Sequence, residues 1–282
     1  MPAQTHYVHP SFNIQATGID CSTAHLLLEA GPAALSFVIA DAENCFGTVV
    51  TYALPKENNY SALAQHISTI IAQEPLLQQS FKKTTIVWAL PESILVPAEF
   101  HSIAANKAML ELMYGDVNPG LVRSDFMFRH NIYNVYRLPE ILVKALPASL
   151  QYVNQTHQYS LLADMVEMNG NRLWALFYNN RLTAVLVKEG KLQLIQSFEY
   201  AQAEDAAYQL LNICERFSMD KEEILVQLSG MIDTGSSLYA EVYKYFMHLQ
   251  LQELPAGATY SDAVKAHPSH FFSHLFAQAL CV

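Results

Sequence analysis

Three histidines near the C-terminal end of the chain, His267, His270 and His274, have a residue type and spacing that can bind a metal ion. His270 and His274 are four positions apart, so a helix would place both on one face. Zinc is held by imidazole nitrogens together with carboxylates or thiolates, and Cys281 is the nearest thiol. No Asp or Glu lies between His267 and Val282. The alternative is that these histidines form the start of a helix and bind no ligand. The sequence leaves both interpretations open, and we predict no metal site.

A second candidate for chemistry is the segment 232–237, Ile-Asp-Thr-Gly-Ser-Ser, which matches the signature of aspartic proteases letter for letter. That chemistry needs two such aspartates that share one proton. The sequence contains no second Asp-Thr-Gly or Asp-Ser-Gly. Asp233, Thr234 and Ser236 are all residue types that cap helix N-termini, and a helix is predicted to begin near Leu238. We therefore interpret the segment as a helix cap.

The composition excludes several classes of protein. Hydrophobic residues make up 51% of the 282 residues and charged residues 15%, which is enough apolar surface for a large core and too much for a disordered chain. The net charge is −10, whereas nucleic-acid binding needs a basic face. An anionic membrane surface would also repel the chain on average. We therefore expect protein partners and no nucleic acid.

The cysteines and the first residues bear on the compartment. Cys21, Cys45, Cys214 and Cys281 are far apart and form no Cys-x-x-Cys pair, so we expect reduced thiols. Residues 1–20 show no basic start followed by an apolar run, and no apolar stretch approaches the length of a membrane span. The sequence predicts a cytoplasmic protein without membrane insertion.

The elements that would position functional side chains begin with three strands joined by tight turns. Apolar runs at residues 26–28, 35–40 and 46–54 are separated by turn residues, which predicts an antiparallel meander. Apolar residues at helical spacing between 63 and 71 predict an amphipathic helix, and residues 84–90 predict a further strand.

The same order of elements follows after residue 170. Apolar runs at 173–178, 182–187 and 192–198 predict a second meander. An apolar stripe between 207 and 217 predicts an amphipathic helix, and residues 224–228 predict the next strand.

The separation of the two series indicates an internal duplication. Their first strands begin at Leu26 and Leu173, 147 positions apart, and a period of that length is too long for a solenoid repeat. Two similar domains are the simpler account, with coincidence of a common element order as the alternative. We place the domains at residues 1–169 and 170–282, with the polar turn at 169–171 as their boundary.

The two halves differ after their fourth strand. The first half carries an inserted segment at about residues 97–140, in which 103–113 predicts a helix and 126–136 a strand. The second half continues into a predicted helix over 238–249, and a last predicted helix spans 271–280.

Two copies of a meander followed by helix, strand and helix resemble the actin-like ATPase fold. That group includes actin, the heat-shock ATPases, sugar kinases and bacterial cytoskeletal and secretion proteins. The segment 86–93, Ile-Val-Trp-Ala-Leu-Pro-Glu-Ser, is similar to the strand-then-proline segment of pilus-assembly and type II secretion scaffolds. Residues 22–282 also resemble an uncharacterised bacterial family assigned this fold. The resemblance implies an α/β fold of two duplicated ribonuclease H-like domains, each a mixed sheet with a three-strand antiparallel meander and flanking helices.

In active members of that fold, nucleotide lies in the cleft between the domains, and two Asp-x-Gly hairpins wrap its phosphates. The corresponding first hairpin here is 28–33, Leu-Glu-Ala-Gly-Pro-Ala. Gly31 stands at the family's turn glycine, but Glu29 replaces the aspartate and Pro32 lacks an N–H that could face phosphate. The second hairpin is 178–181, Tyr-Asn-Asn-Arg, with neither carboxylate nor glycine.

The third motif of active members is a strand that ends in a pair of glycines beside the adenosine. Here Gly230 ends the strand, Met231 interrupts the pair, and Gly235 follows. By the resemblance, a vestigial nucleotide cleft would be formed by Glu29, Gly31, Asn179, Gly230 and Gly235.

The altered carboxylates indicate that the fold is kept and the hydrolytic chemistry lost, because phosphoryl transfer depends on positioning and charge neutralisation. We predict a degenerate, non-catalytic scaffold or interaction protein with no cofactor, which meets its partners through residues 97–140 or the cleft. One alternative is an ATPase or kinase that uses Glu29 and Gly230 with ATP and magnesium. The other is a small-metabolite binding module in the same cleft. The oligomeric state stays open.

Overall fold

The computed structural model describes residues 8–57, 59–115 and 120–282. The first half of the chain forms a mixed sheet with helices on its faces. Strands β2 and β3 are buried on both faces, which explains their continuous apolar runs. The elements of this part are β1 (Phe12–Ile14), β2 (His25–Ala30), β3 (Ala34–Ala40), β4 (Cys45–Ala53), α1 (Tyr60–Gln73) and β5 (Lys83–Trp88).

The inserted segment forms its own antiparallel sheet, with the strand order β6-β8-β7. Its elements are β6 (Ser93–Pro97), α2 (Ile103–Tyr114), β7 (Gly120–Met127) and β8 (Ile132–Pro139). The single strand predicted over 126–136 is wrong, because a short 3-10 turn at Phe128–His130 divides it into a hairpin. Asn131 closes the turn at φ 52°, a left-handed conformation that asparagine tolerates.

The chain then returns to the first sheet through α3 (Glu140–Ala145), α4 (Ala148–Gln151), β9 (Asn154–His157) and α5 (Gln158–Met165). β9 pairs in parallel with β5 and completes the order β1-β4-β3-β2-β5-β9. Asp125 of β7 fastens the insertion to this edge, since its Oδ2 accepts hydrogen bonds from the backbone N–H of His157 at 2.9 Å and from Ser160 Oγ at 2.8 Å.

The second half repeats the topology of the first. Its elements are β10 (Arg172–Phe177), β11 (Arg181–Lys188), β12 (Lys191–Glu199), α6 (Ala203–Arg216), β13 (Leu225–Gly230), α7 (Ser237–Tyr243) and β14 (His248–Leu251). β10 is antiparallel to β11 and parallel to β13, just as β2 is antiparallel to β3 and parallel to β5. The helix predicted over 238–249 is too long: α7 ends at Tyr243, Phe246 enters the core, and β14 pairs with β13 at the sheet edge.

The last elements are β15 (Thr259–Tyr260), α8 (Asp262–Lys265) and α9 (Ser273–Cys281). They follow the second sheet in sequence but pack on the first: β15 pairs with β4, and Phe276 of α9 lies in one core with Leu27 and Val38. In the opposite direction, α5 follows the first sheet but Leu162 packs in one core with Trp174 of the second. The two halves therefore exchange helices, and both helices border the cleft. In the described ranges, no helix has the length and apolar content that crossing a bilayer requires.

Candidate functional site

The side chain of Glu29 lies at the point where the first hairpin, the second hairpin and the two exchanged helices meet. Only 2% of this residue is exposed. Oε1 accepts a hydrogen bond from the Tyr178 hydroxyl at 2.7 Å, and Oε2 accepts one from Gln158 of α5 at 2.9 Å and one from Gln278 of α9 at 2.8 Å. The His274 Nε2 atom lies 3.9 Å from Oε1. The carboxylate is thus enclosed by side chains from three other parts of the chain: α5, the second hairpin and α9.

The groups around Glu29 are neutral at pH 7. Burial, reinforced by the neighbouring Glu29 carboxylate, raises the pKa of Tyr178 well above its usual value. The phenol therefore stays protonated and donates a hydrogen bond to Glu29. Burial also lowers the pKa of His274, although the Glu29 charge opposes that change. Of the residues that the structure describes, no Lys or Arg reaches ion-pair distance of this carboxylate. Glu29 is therefore held by hydrogen-bond donors and not by a cation.

The space beside Glu29 is too small for a phosphate. A cavity of about 10 Å³ lies between Glu29, Gly31, Pro32 and Tyr178, which is room for one water molecule at most. The Gly31 N–H is already bonded to the carbonyl of Ala34 at 3.0 Å within the hairpin. A Cβ atom at Gly31 would lie 2.7 Å from the carbonyl oxygen of Ala89. Gly31 therefore allows the hairpin to approach the end of β5 closely.

The second hairpin contributes Tyr178 to this network and leaves Asn179 exposed at its tip. The turn is closed by a hydrogen bond of 2.7 Å from the Tyr178 N–H to the carbonyl of Arg181. The Arg181 guanidinium pairs with Glu199 at 2.9 Å, and Lys56 of the first half also reaches Glu199, at 2.8 Å. Lys56 is the main reason that the pKa of Glu199 is lowered. The structure does not bring Asn179 into contact with Glu29.

The two predicted glycines after the fourth strand of the second half have different surroundings. Gly230 has φ +80°, and a Cβ atom there would lie 2.1 Å from the carbonyl oxygen of Phe177. It ends β13 directly beside β10, and the N–H of Met231 donates to the same Phe177 oxygen at 2.8 Å. Gly235 lies in the exposed turn before α7, where its N–H donates to Asp233 Oδ1 at 2.7 Å. Gly230 thus allows the end of β13 to pack closely against Phe177 of β10, and Gly235 belongs to a cap.

The cap interpretation of the segment 232–237 is confirmed. Ser236 is the N-cap of α7, and its hydroxyl accepts the N–H of Tyr239 at 3.2 Å. Asp233 faces the cleft, where it lines a larger cavity than the one beside Glu29.

That larger cavity, of about 320 Å³, lies between the halves and touches both hairpins and the segment after β13. Its lining residues are Ser11, Phe12, Ala33, Ala34, Ser36, Thr51, Ala53, Phe177, Tyr178, Asn179, Met231, Asp233, Phe271, His274 and Leu275. Most of these described lining residues are apolar, Asp233 is the single carboxylate among them, and none of them is Lys or Arg. The described walls of this cavity therefore carry no lysine or arginine charge.

The three C-terminal histidines do not converge. His270 is buried and its Nε2 donates to the carbonyl of Ile232 at 2.7 Å. His274 faces Glu29, and His267 packs edge-on against Phe12 with ring centroids 6.0 Å apart. In the part of the chain that the structure describes, no group of three or more His, Cys, Asp or Glu side chains could hold a metal ion. The three histidines are therefore close in the sequence, but their side chains contact different partners.

Reasoning from the sequence missed the partners of Glu29. Gln158 and Gln278 lie 129 and 249 positions from Glu29 along the chain. A buried glutamine within a helix follows no motif, so no local signal identifies these residues before the helices are placed.

His157, at the junction of β9 and α5, is a buried histidine with both ring nitrogens bonded. Nε2 donates to the carbonyl of Leu90 at 3.0 Å, and Nδ1 accepts the N–H of Tyr159 at 3.1 Å. Burial lowers the pKa of His157 to about 4, although the Asp125 carboxylate opposes the shift. Protonation at Nδ1 would remove the acceptor for Tyr159, so the folded state requires a neutral ring.

We expect the free energy of unfolding to fall as the pH drops below the ordinary histidine pKa of about 6.5. The folded-state pKa is the lower one, so the stabilisation is complete above that value and is lost as the pH approaches 4. By about pH 5 the loss from one such histidine is about 2 kcal/mol. Urea unfolding at about pH 7.5, 6 and 5 measures it. His157→Gln, which still donates to Leu90, should show a shallower dependence; an unchanged slope would contradict the assignment.

Two mixed sheets of matching topology around a cleft, joined by exchanged helices, define the class: this is the actin-like ATPase fold. A protein of unknown function from Bacteroides thetaiotaomicron with this fold is similar over 88% of this chain and 98% of its own, with a TM-score of 0.70 and 16% identity. A PilM–PilN type IV pilus biogenesis complex is similar over 91% of this chain and 96% of its own, with a TM-score of 0.55 and 14% identity. At such identities these likenesses show the fold alone.

The chain belongs to the family described as protein of unknown function DUF3822, whose model matches residues 17–249. No curated protein matches it. The resemblance to an uncharacterised family of actin-like fold, similar to pilus-assembly proteins, is thereby confirmed, as is the fold class.

Proposed function

We propose that this protein is a non-catalytic member of the actin-like fold that acts by binding another protein. The observation that carries the proposal is the state of Glu29, the carboxylate at the position where active members place the aspartate of the first hairpin. Its Oε1 accepts a hydrogen bond from Tyr178, its Oε2 accepts hydrogen bonds from Gln158 and Gln278, and the adjoining space has room for one water molecule at most.

The residues of the cleft do not fit ATP with magnesium. Magnesium takes hard oxygen ligands in a near-octahedral arrangement, and the space beside Glu29 has room for one water molecule at most. The described lining of the larger cavity has one carboxylate, Asp233, which would repel a triphosphate, and no Lys or Arg that could neutralise one. These features support a protein that has kept the architecture of an ATPase without its metal site.

The inserted segment supports the protein-binding half of the proposal. Its outer surface carries a row of ring contacts that runs from Phe128 to Phe126, then to Tyr133 and to His101, with successive centroids 6.2, 4.8 and 3.7 Å apart. Phe128 is 86% exposed and Phe126 is 45% exposed. Aromatic side chains are enriched where proteins bind one another, and contiguous exposed apolar surface marks such sites. The similar fold in the PilM–PilN complex agrees with a role in assembly.

We expect ATP with Mg²⁺ to shift the Tm of the full chain by less than about one degree, because a ligand stabilises only by binding the native state. Phosphate release should stay at background in the same samples. Glu29→Gln separates a contaminant from the protein: release that persists in this variant does not come from the site. A shift of several degrees with release that Glu29→Gln abolishes would overturn the non-catalytic assignment.

We expect the double variant Phe126→Ser/Phe128→Ser to lose the main protein captured by the wild-type chain from lysate of its own source. Both rings are exposed, so the variant should keep its Tm. The matched control is Tyr208→Ser/Tyr243→Ser, which removes two rings that are 63% and 64% exposed on the second half. Capture that survives the first variant, or fails equally in both, would contradict a partner site on the insertion.

A further inference from the structure

The larger cavity between the halves has the size and depth of a ligand site. Its volume of about 320 Å³ is within the range of small-molecule pockets. Space exists there because alanines stand where the halves meet: Ala33 directly precedes β3, Ala34 begins it, and Ala53 ends β4. Phe177 and Phe271 of the second half also line the cavity. A planar or short aliphatic body of low polarity would suit such a lining.

The cavity has polar residues where it opens to solvent. Asp233 and Asn179 line the cavity and are both exposed, which places them at its opening. The Asp233 carboxylate accepts the Gly235 N–H through Oδ1, and no other described residue occupies it. A ligand with its apolar body inside the cavity would bring its polar group to this carboxylate.

The opening carries a carboxylate without a cation beside it in the described lining. Among the described lining residues Asp233 is the single carboxylate and none is Lys or Arg, and burial lowers the pKa of His274, which favours the neutral ring. A hydrogen bond to a charged group is stronger than one between neutral groups. The opening therefore favours a cation over a neutral group and a neutral group over an anion.

We propose that this cavity binds a small apolar amine, with the aromatic or short aliphatic body against Phe177 and Phe271 and the ammonium group on Asp233. The site goes beyond the protein-binding role proposed above and does not depend on it, because the aromatic row lies on the insertion and contributes none of the cavity lining. It also differs from nucleotide binding, since its ligand carries the opposite charge.

The test compares three probes that share one body and differ in charge: phenethylamine, phenethyl alcohol and hydrocinnamate. Calorimetric titration of the full chain should give the tightest binding for the amine, binding about tenfold weaker for the alcohol, and none for the carboxylate. ATP with Mg²⁺ should not compete with the amine. Equal binding of all three probes, or no binding of the amine, would overturn the proposal.

Two kinds of variant assign the site. Asp233→Asn keeps the acceptor for Gly235 and should abolish the preference for the amine over the alcohol while the alcohol still binds. Ala53→Leu, at an exposed position of the lining, should weaken binding of both the amine and the alcohol. Ala34→Leu, at a buried position of the lining, should weaken binding of both probes as well. The Tm of each variant without ligand identifies any variant that fails to fold. The variants that fold then decide whether the ligand binds in this cavity. Retention of the full amine preference in Asp233→Asn would place the ligand elsewhere.

Discussion

Replacing Glu29 with alanine is expected to lower the free energy of unfolding by about 3 kcal/mol, because the change leaves buried donors without an acceptor. The donors are the Tyr178 hydroxyl and the side-chain amides of Gln158 and Gln278, all fixed at 2.7–2.9 Å from the carboxylate. Since Gln158 belongs to α5 and Gln278 to α9, the loss should loosen the junction between the halves. Urea unfolding of the full chain measures the effect.

Glu29→Gln is the matched control for that experiment. The amide keeps the shape of the side chain and one acceptor oxygen, and the Tyr178 hydroxyl can rotate to accept from the new N–H. We expect a loss of less than about 1.5 kcal/mol. If Glu29→Ala were as stable as the wild type, the network would not hold the halves together, and the closed state of the cleft would need another explanation.

Replacing Gly230 with alanine is expected to cost more than about 3 kcal/mol or to prevent folding. A left-handed conformation costs a non-glycine residue about 1–2 kcal/mol. In addition, the new Cβ would stand 2.1 Å from the carbonyl oxygen of Phe177, a backbone atom that cannot turn away. Relief of the clash would separate β13 from β10 at the point where Met231 also bonds to Phe177.

Gly257→Ala separates the two costs, because Gly257 has φ +86° and nothing lies within 4 Å of the position of its Cβ. We expect that variant to lose only about 1–2 kcal/mol, the conformational cost alone. Unfolding in denaturant compares the two proteins directly. Equal losses in the two variants would show that the contact with Phe177 carries no cost, contrary to the assignment of Gly230 to close strand packing.

The strands that build both sheets could be predicted because each is a local pattern. Continuous apolar runs between turn residues predicted the meanders of both halves, since strands buried on two faces need apolar residues at every position. The hairpin of the insertion could not be predicted in the same way. The segment from Phe128 to Asn131 has no glycine or proline to indicate a turn, so the local pattern predicts one strand there. In the second half, pairing of β14 with β13 ended a helix that local spacing would have continued past Tyr243.

The candidate site was predictable only where a residue stands in a hairpin. Glu29 and Gly31 were identified from their place in the first hairpin, and the structure puts both at the cleft. No local pattern indicates that the Glu29 carboxylate is closed off, because its partners Gln158 and Gln278 come from helices that are distant in sequence. The three histidines show the reverse case, in which adjacent residues suggested a cluster and the fold turned them in different directions.

The class of fold, the repeated order of elements and the absence of an aspartate from each hairpin are properties of residue type and local period. They do not depend on which surfaces meet. Three features appear only in the folded molecule: α5 and α9 exchange halves, their glutamines bind the Glu29 carboxylate, and alanines line an apolar cavity that has Asp233 at its opening. Such features come from contacts between residues more than one hundred positions apart, whose free energy is realised only when the chain has folded.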